Sequence, residues 1–105
     1  MFFKASLVFL IAAATIGTYA AELQWYNTRS CDGSSIIDQR NIGCDTCQNS
    51  GGEYYAVGVS GVTDNQQLSF YNEPDCTTSS LVGQHYGNEC SLAGGTPLKS
   101  VYIAC

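Results

Sequence analysis

His85 is the only histidine in the chain, so any Ser–His or Cys–His nucleophile, and any imidazole metal site, must use it. The segment Gly58-Val59-Ser60-Gly61-Val62 matches a nucleophile elbow for four residues, then has Val62 where the second glycine belongs. No helical pattern comes after it, so Ser60 reads as a turn serine. Glu73 and Asp75 straddle Pro74 and could be the paired carboxylates of a glycosidase. Acidic residues also serve turns there, and a catalytic acid needs a sheltered pocket that so short a chain can hardly supply. Cys44-Asp45-Thr46-Cys47 has the spacing of a redox dithiol or half a zinc site. The next five residues, Gln48-Asn49-Ser50-Gly51-Gly52, form a turn sequence, whereas a redox cysteine wants a helix N-terminus. The expectation is a protein without catalytic residues, cofactor or metal.

Aromatic residues are the remaining candidates. Trp25 and Phe70 take the inward phase of their strands, and Tyr26, Tyr71 and Tyr102 the opposite phase, as does one of Tyr54 and Tyr55. Tyrosine is ordinary material for a half-wet strand. Gathered on one face, Tyr26, Tyr71 and Tyr102 would make a surface for a protein or carbohydrate partner.

The elements that must carry these residues begin after a leader. Residues 1–20 combine one cation, Lys4, an apolar run from Leu7 to Ile16, and the small residues Thr18 and Ala20. That is the pattern of a secretory signal peptide, and its apolar run is too short for a membrane anchor. Residues 21–105 are then one secreted domain, expected to act outside the cell. It holds three cations, Arg29, Arg40 and Lys99, against nine carboxylates. Nucleic acid and anionic lipid demand clustered Lys and Arg, so neither binding to nucleic acid nor stable membrane insertion is expected. The same acidic balance resists self-association, and a monomer is expected.

All six cysteines, Cys31, Cys44, Cys47, Cys76, Cys90 and Cys105, lie in this part. An even count in a short secreted chain reads as three disulfides, which a domain of this size needs as staples. Repeat symmetry suggests Cys31–Cys44, Cys76–Cys90 and Cys47–Cys105.

The repeat itself is a self-match at an offset of 45 residues. Leu23 to Ser35 lines up with Leu68 to Ser80, with Trp25 against Phe70, Tyr26 against Tyr71 and Cys31 against Cys76. Downstream, Cys44 falls one place from Cys90. A Gly-Gly pair precedes a closing apolar alternation in both copies, Val57 and Val59 in one, Val101 and Ile103 in the other. The copies span about 22–62 and 67–105, and each reads as short strands punctuated by turns. Two such repeats, each with one apolar face, pack as a small all-β sandwich stapled by disulfides.

Tyr26, four residues, Cys31, one residue and Gly33 resemble the aromatic–x4–aromatic–x–Gly opening of a βγ-crystallin Greek key, with cysteine in the second aromatic place. Tyr71 and Cys76 repeat the spacing, with Thr78 in place of the glycine. Ser100, before Val101-Tyr102-Ile103, matches the late serine that ties the folded hairpin in that family; the first copy has Tyr55 or Ala56 there. The resemblance implies two Greek-key repeats over nearly all of residues 21–105. It implies no calcium, because the Asn or Asp pair preceding the late serine is missing. The chain is also similar in type to the small cysteine-rich secreted proteins of fungi. The function it implies is effector-like or toxin-like binding of an extracellular protein or glycan. The same features leave two alternatives: a proteinase inhibitor of βγ-crystallin type, and a cell-surface or carbohydrate-binding structural protein.

Overall fold

The computed structural model describes residues 21–105, and the expected signal peptide lies outside the described residues. Eight strands build two antiparallel four-stranded sheets packed as a sandwich. The first half of the chain gives β1 (Ala21–Tyr26), β2 (Ile37–Ile42), β3 (Thr46–Tyr54) and β4 (Ala56–Ser60). The second half gives β5 (Gln67–Tyr71), β6 (Leu81–Tyr86), β7 (Glu89–Leu92) and β8 (Leu98–Ile103). Short 3-10 turns at Pro74–Cys76 and Thr78–Ser80 join β5 to β6.

Period-two alternation explains the core strands. Ala21, Leu23 and Trp25 point inward from β1 while Glu22 and Gln24 stay half exposed. Val57 and Val59 stand opposite Trp25 and Leu23 on β4, and Val101 and Ile103 stand opposite Phe70 and Leu68 on β5. These side chains meet between the sheets and are all buried. Each contributes about 1.5–3 kcal/mol when taken fully out of water. The Trp25 indole N–H donates to Gln39 Oε1 at 2.7 Å, and Gln39 Nε2 donates to the Asn49 carbonyl at 2.9 Å. Gln39 therefore closes the margin where β2 and β3 lie side by side.

The order of the strands is β2-β1-β4-β7 in the first sheet and β3-β8-β5-β6 in the second. Each half keeps three strands in its own sheet and sends its third strand to the other. β3 pairs with β8, and β7 pairs with β4. Neither sheet is complete without both halves.

That exchange corrects the expected disulfides. The bridges are Cys31–Cys90, Cys44–Cys105 and Cys47–Cys76, and Cys31–Cys44, Cys76–Cys90 and Cys47–Cys105 do not form. Cys31, in the β1–β2 connection, meets Cys90 on the incoming β7. Cys76, in the β5–β6 connection, meets Cys47 on the incoming β3. The two bridges are equivalent under the repeat, so the partner of Cys90 in the alignment is Cys47, the second residue of β3, and not Cys44. All three bridges join one half to the other. By the chain-entropy account, closing loops of 59 and 61 residues stabilises the fold by about 4 kcal/mol each.

A second difference concerns Gly51-Gly52, expected as a turn. The pair lies inside β3 at an irregularity between Asn49 and Tyr54, where Gly51 takes a φ of 80°. Ser50 Oγ donates to the Gly52 carbonyl at 2.9 Å and accepts from the Gly52 N–H at 3.1 Å. The local bonds that a turn would use are made within a bulged strand.

Ser100 has no exposure at all. Its hydroxyl donates to the Glu73 carbonyl at 2.6 Å and accepts from the Cys76 N–H at 3.0 Å, tying the Pro74–Cys76 turn down onto β8. Ala56 holds the matching place in β4, and there the Cys31–Cys90 bridge fastens the loop instead.

Ser100→Ala leaves two backbone groups without their partner and is expected to cost about 1–3 kcal/mol in chemical denaturation. The exposed Ser60→Ala is expected to stay within about 0.5 kcal/mol. Cleavage of the oxidised chain between Gly61 and Gln66 is expected to leave one covalent species that separates into two only on reduction. Release of two fragments without reductant contradicts bridging between the halves.

Candidate functional site

On the outer face of the second sheet the backbone register sets Cys47, Tyr102, Ser69 and Gln84 in one row across β3, β8, β5 and β6. The next row holds Asn49, Ser100 and Tyr71. Tyr71 and Tyr102 are thus diagonal neighbours on adjacent strands, both half-buried, within reach of each other for ring-sized side chains. Tyr86 stands on the same face of β6, at 62% exposure the most open of the large apolar side chains.

The second row is capped. Cys76 is bonded to Cys47, Asp75 N–H donates to Asn49 Oδ1 at 2.7 Å, and Asn49 Nδ2 donates to Asp75 Oδ1 at 2.9 Å. Tyr102, Gln84 and Tyr86 remain open, with Tyr71 at the border of the cap. Gln84 Nε2 donates to Ser69 Oγ at 3.1 Å, fixing the amide among the rings.

A carboxylate is added from the β2–β3 loop. The Tyr102 hydroxyl donates to Asp45 Oδ1. Asp45 takes a φ of 59°, a left-handed conformation that aspartate tolerates, and its N–H donates to the Ile103 carbonyl. The adjoining Cys44–Cys105 bridge holds the same loop against the end of β8. The hydrogen bond to Asp45 and the negative charge beside it hold the Tyr102 phenol above the ordinary tyrosine value of 10.0. The face therefore offers phenol rings, one carboxylate and one amide on a rigid sheet. That is the chemistry of a contact surface: rings to stack on, and hydrogen-bonding groups that fix orientation.

Of the three tyrosines expected together, the structure gathers two. Tyr26 occupies the place in β1 that Tyr71 holds in β5, but it lies on the other sheet and is buried at 5% exposure. Its ring and the Cys31 sulfur both lie against Gly58 of β4, a crowding beside the Cys31–Cys90 bridge that strand phase does not show. Tyr54 and Tyr55 both pack against the core. Tyr54 tilts on Trp25 with ring centroids 5.7 Å apart, and the Arg29 guanidinium lies 4.8 Å over the Tyr55 ring. Tyr86 and Asp45 were not among the expected residues. Alternation of Gln84 and Tyr86 about His85 is the signal for Tyr86; nothing local in the sequence points Asp45 at Tyr102.

The groups considered for catalysis stand apart. Ser60 ends β4 in the first sheet and His85 lies in β6 of the second, edge-on to Phe70 with centroids 5.4 Å apart. Asp75 is engaged with Asn49 in the turn, and all six cysteines are bonded. An open groove of about 500 Å³ runs between β6 and β7, with His85 and Glu89 as its ionisable groups. Among the described residues no three His, Cys, Asp or Glu side chains gather as metal ligands.

Asp45→Asn removes the charge and the strong acceptor, and is expected to return the Tyr102 phenol toward the ordinary range in a spectrophotometric tyrosinate titration. A phenol raised in the folded state stabilises the fold below the ordinary tyrosine range, and that stabilisation is lost as pH climbs through its raised value. The alkaline limb of the stability profile is therefore expected to flatten in Asp45→Asn. An unchanged titration contradicts the pairing of Asp45 with Tyr102.

No protein-family model, no curated protein and no solved structure matches this chain.

Proposed function

We infer that the chain is a secreted, non-enzymatic binding protein, effector-like or toxin-like, which engages an extracellular protein or glycan through the outer face of the second sheet. The observation that carries this reading is the cluster of Tyr71, Tyr102 and Tyr86 with Asp45 and Gln84, held on a sheet that disulfides fasten at two places. Rigid aromatic groups lose little conformational freedom on contact, so such a face binds without paying for its own ordering.

Three disulfides support an oxidising destination, and among the described residues no helix is long and apolar enough to cross a membrane. The leader pattern in residues 1–20 supports export. A βγ-crystallin-like relationship is part of the same proposal, supported by Ser100, whose hydroxyl ties the folded β5–β6 connection as the late serine of that family would. Binding rather than catalysis is favoured by the structural employment of Asp75, His85 and the six cysteines.

Exposure of intact plant leaf cells and of yeast cells to the oxidised mature protein tests the proposal, with reduced and alkylated protein as control. Death or growth arrest confined to the oxidised form is expected, and the responding cell type distinguishes effector from toxin. Indifference of both cell types, together with stoichiometric inhibition of a protease by the uncut chain, would replace the proposal with the inhibitor reading.

A further inference from the structure

Four strands end the two sheets, and three of them are guarded against further pairing. β2 carries Asp38 and Arg40. β3 is bulged and crossed by the Pro74–Cys76 turn with its bridge to Cys47. β7 is four residues long, contains Glu89 and is pinned at Cys90. Charges, bulges, brevity and covering segments are the devices by which sheet edges refuse another strand.

β6 differs. Leu81–Tyr86 has neither a charged residue nor a proline, and its one irregularity falls at Val82, before the stretch of interest. The Gly87 N–H donates to the Gln66 carbonyl at 3.1 Å, which sets the phase of the ladder. Hydrogen-bonded pairs are then Gln66 with Gly87, Leu68 with His85, and Phe70 with Gly83. Gln84 and Tyr86 fall between them, so their N–H and C=O groups turn away from β5. Both residues are exposed, and among the described residues no backbone partner meets them on that side.

We propose that β6 pairs with β6 of a second copy of this chain, joining two four-stranded sheets into one of eight strands. The pairing is self-complementary. A two-fold axis at His85 sets Gln84 of one copy opposite Tyr86 of the other in both directions, and the four outward N–H and C=O pairs satisfy one another. Charge favours the same occupant. From Thr77 to Asn88 the sequence has no Asp, Glu, Lys or Arg, while the domain as a whole has nine carboxylates and three cations. Two acidic copies repel over most approaches and can meet along this uncharged strand. Net charge describes the whole surface, which is why it suggests a monomer and the edge does not. An axis perpendicular to the sheet keeps both tyrosine faces on one side, so the dimer presents a doubled face. The pairing stands whether or not that face binds a partner.

Sedimentation velocity and amide exchange on the oxidised mature chain over a concentration series test the proposal. A monomer–dimer equilibrium is expected, with exchange at Gln84 and Tyr86 slowing about tenfold once about nine-tenths of the chains are paired. Gly83 and His85, bonded to β5, are expected to stay protected throughout. Gln84→Pro deletes one outward donor and spares every backbone bond to β5, losing only the side-chain bond to Ser69, a substitution edge strands accept, and it is expected to abolish the dimer. Tyr86→Lys, a charge on the same edge, is expected to do so independently. A chain that is monomeric at every concentration overturns the proposal and leaves the edge for an extended segment of another protein. A dimer untouched by both variants, with unchanged exchange at Gln84 and Tyr86, overturns it by placing the interface elsewhere.

Discussion

β3 hydrogen-bonds to β8 and β7 to β4, so each sheet is completed by a strand from the other half of the chain. The remaining features depend on that pairing. It brings Cys47 beneath the β5–β6 connection and Cys90 beneath the β1–β2 connection, where each finds its sulfur partner. It also puts Tyr102 beside β3, where the β2–β3 loop delivers Asp45 to its hydroxyl. A domain of this size has few apolar side chains, and interlocking its halves makes the same core serve both. The covalent bridges then act on an arrangement already imposed by backbone pairing.

Much of this was legible in the sequence, because a strand with one buried face writes period two into its residues. Leu23 and Trp25, Leu68 and Phe70, Val57 and Val59, and Val101 and Ile103 all occupy the core as that period requires. The 45-residue offset foretold that Trp25 and Phe70 would play one role twice. The pairing of cysteines was not legible. Exchange of a third strand leaves no local mark, since β3 and β7 are polar and short of alternation, and a staple within each repeat looks equally good on paper. Once the exchange is known, repeat symmetry holds, with Cys47 rather than Cys44 as the counterpart of Cys90.

The same cause explains the fate of the tyrosines. Strand phase says which side of a sheet a residue faces and nothing about what lies on top. Tyr26 and Tyr71 share a phase, yet Tyr26 is buried beside the Cys31–Cys90 bridge while Tyr71 stays half-buried near the Pro74–Cys76 turn. Tyr86 lies on an edge strand without charge or covering, so its exposure comes from topology rather than composition. The outer face of the second sheet is consequently the place where rings, a carboxylate and an amide meet on a backbone fastened by two disulfides.

The proposed role of that face in binding is tested most directly with fluorescently labelled, oxidised protein on the surface of intact plant and yeast cells. The doubly substituted Tyr71→Ala, Tyr102→Ala chain is compared with Ile36→Ala, which trims an exposed apolar side chain beside the first sheet. The proposal predicts that the tyrosine variant, still folded and disulfide-bonded, loses surface binding while Ile36→Ala retains it. Equal binding by the two variants would contradict the assignment and move the contact off the second sheet.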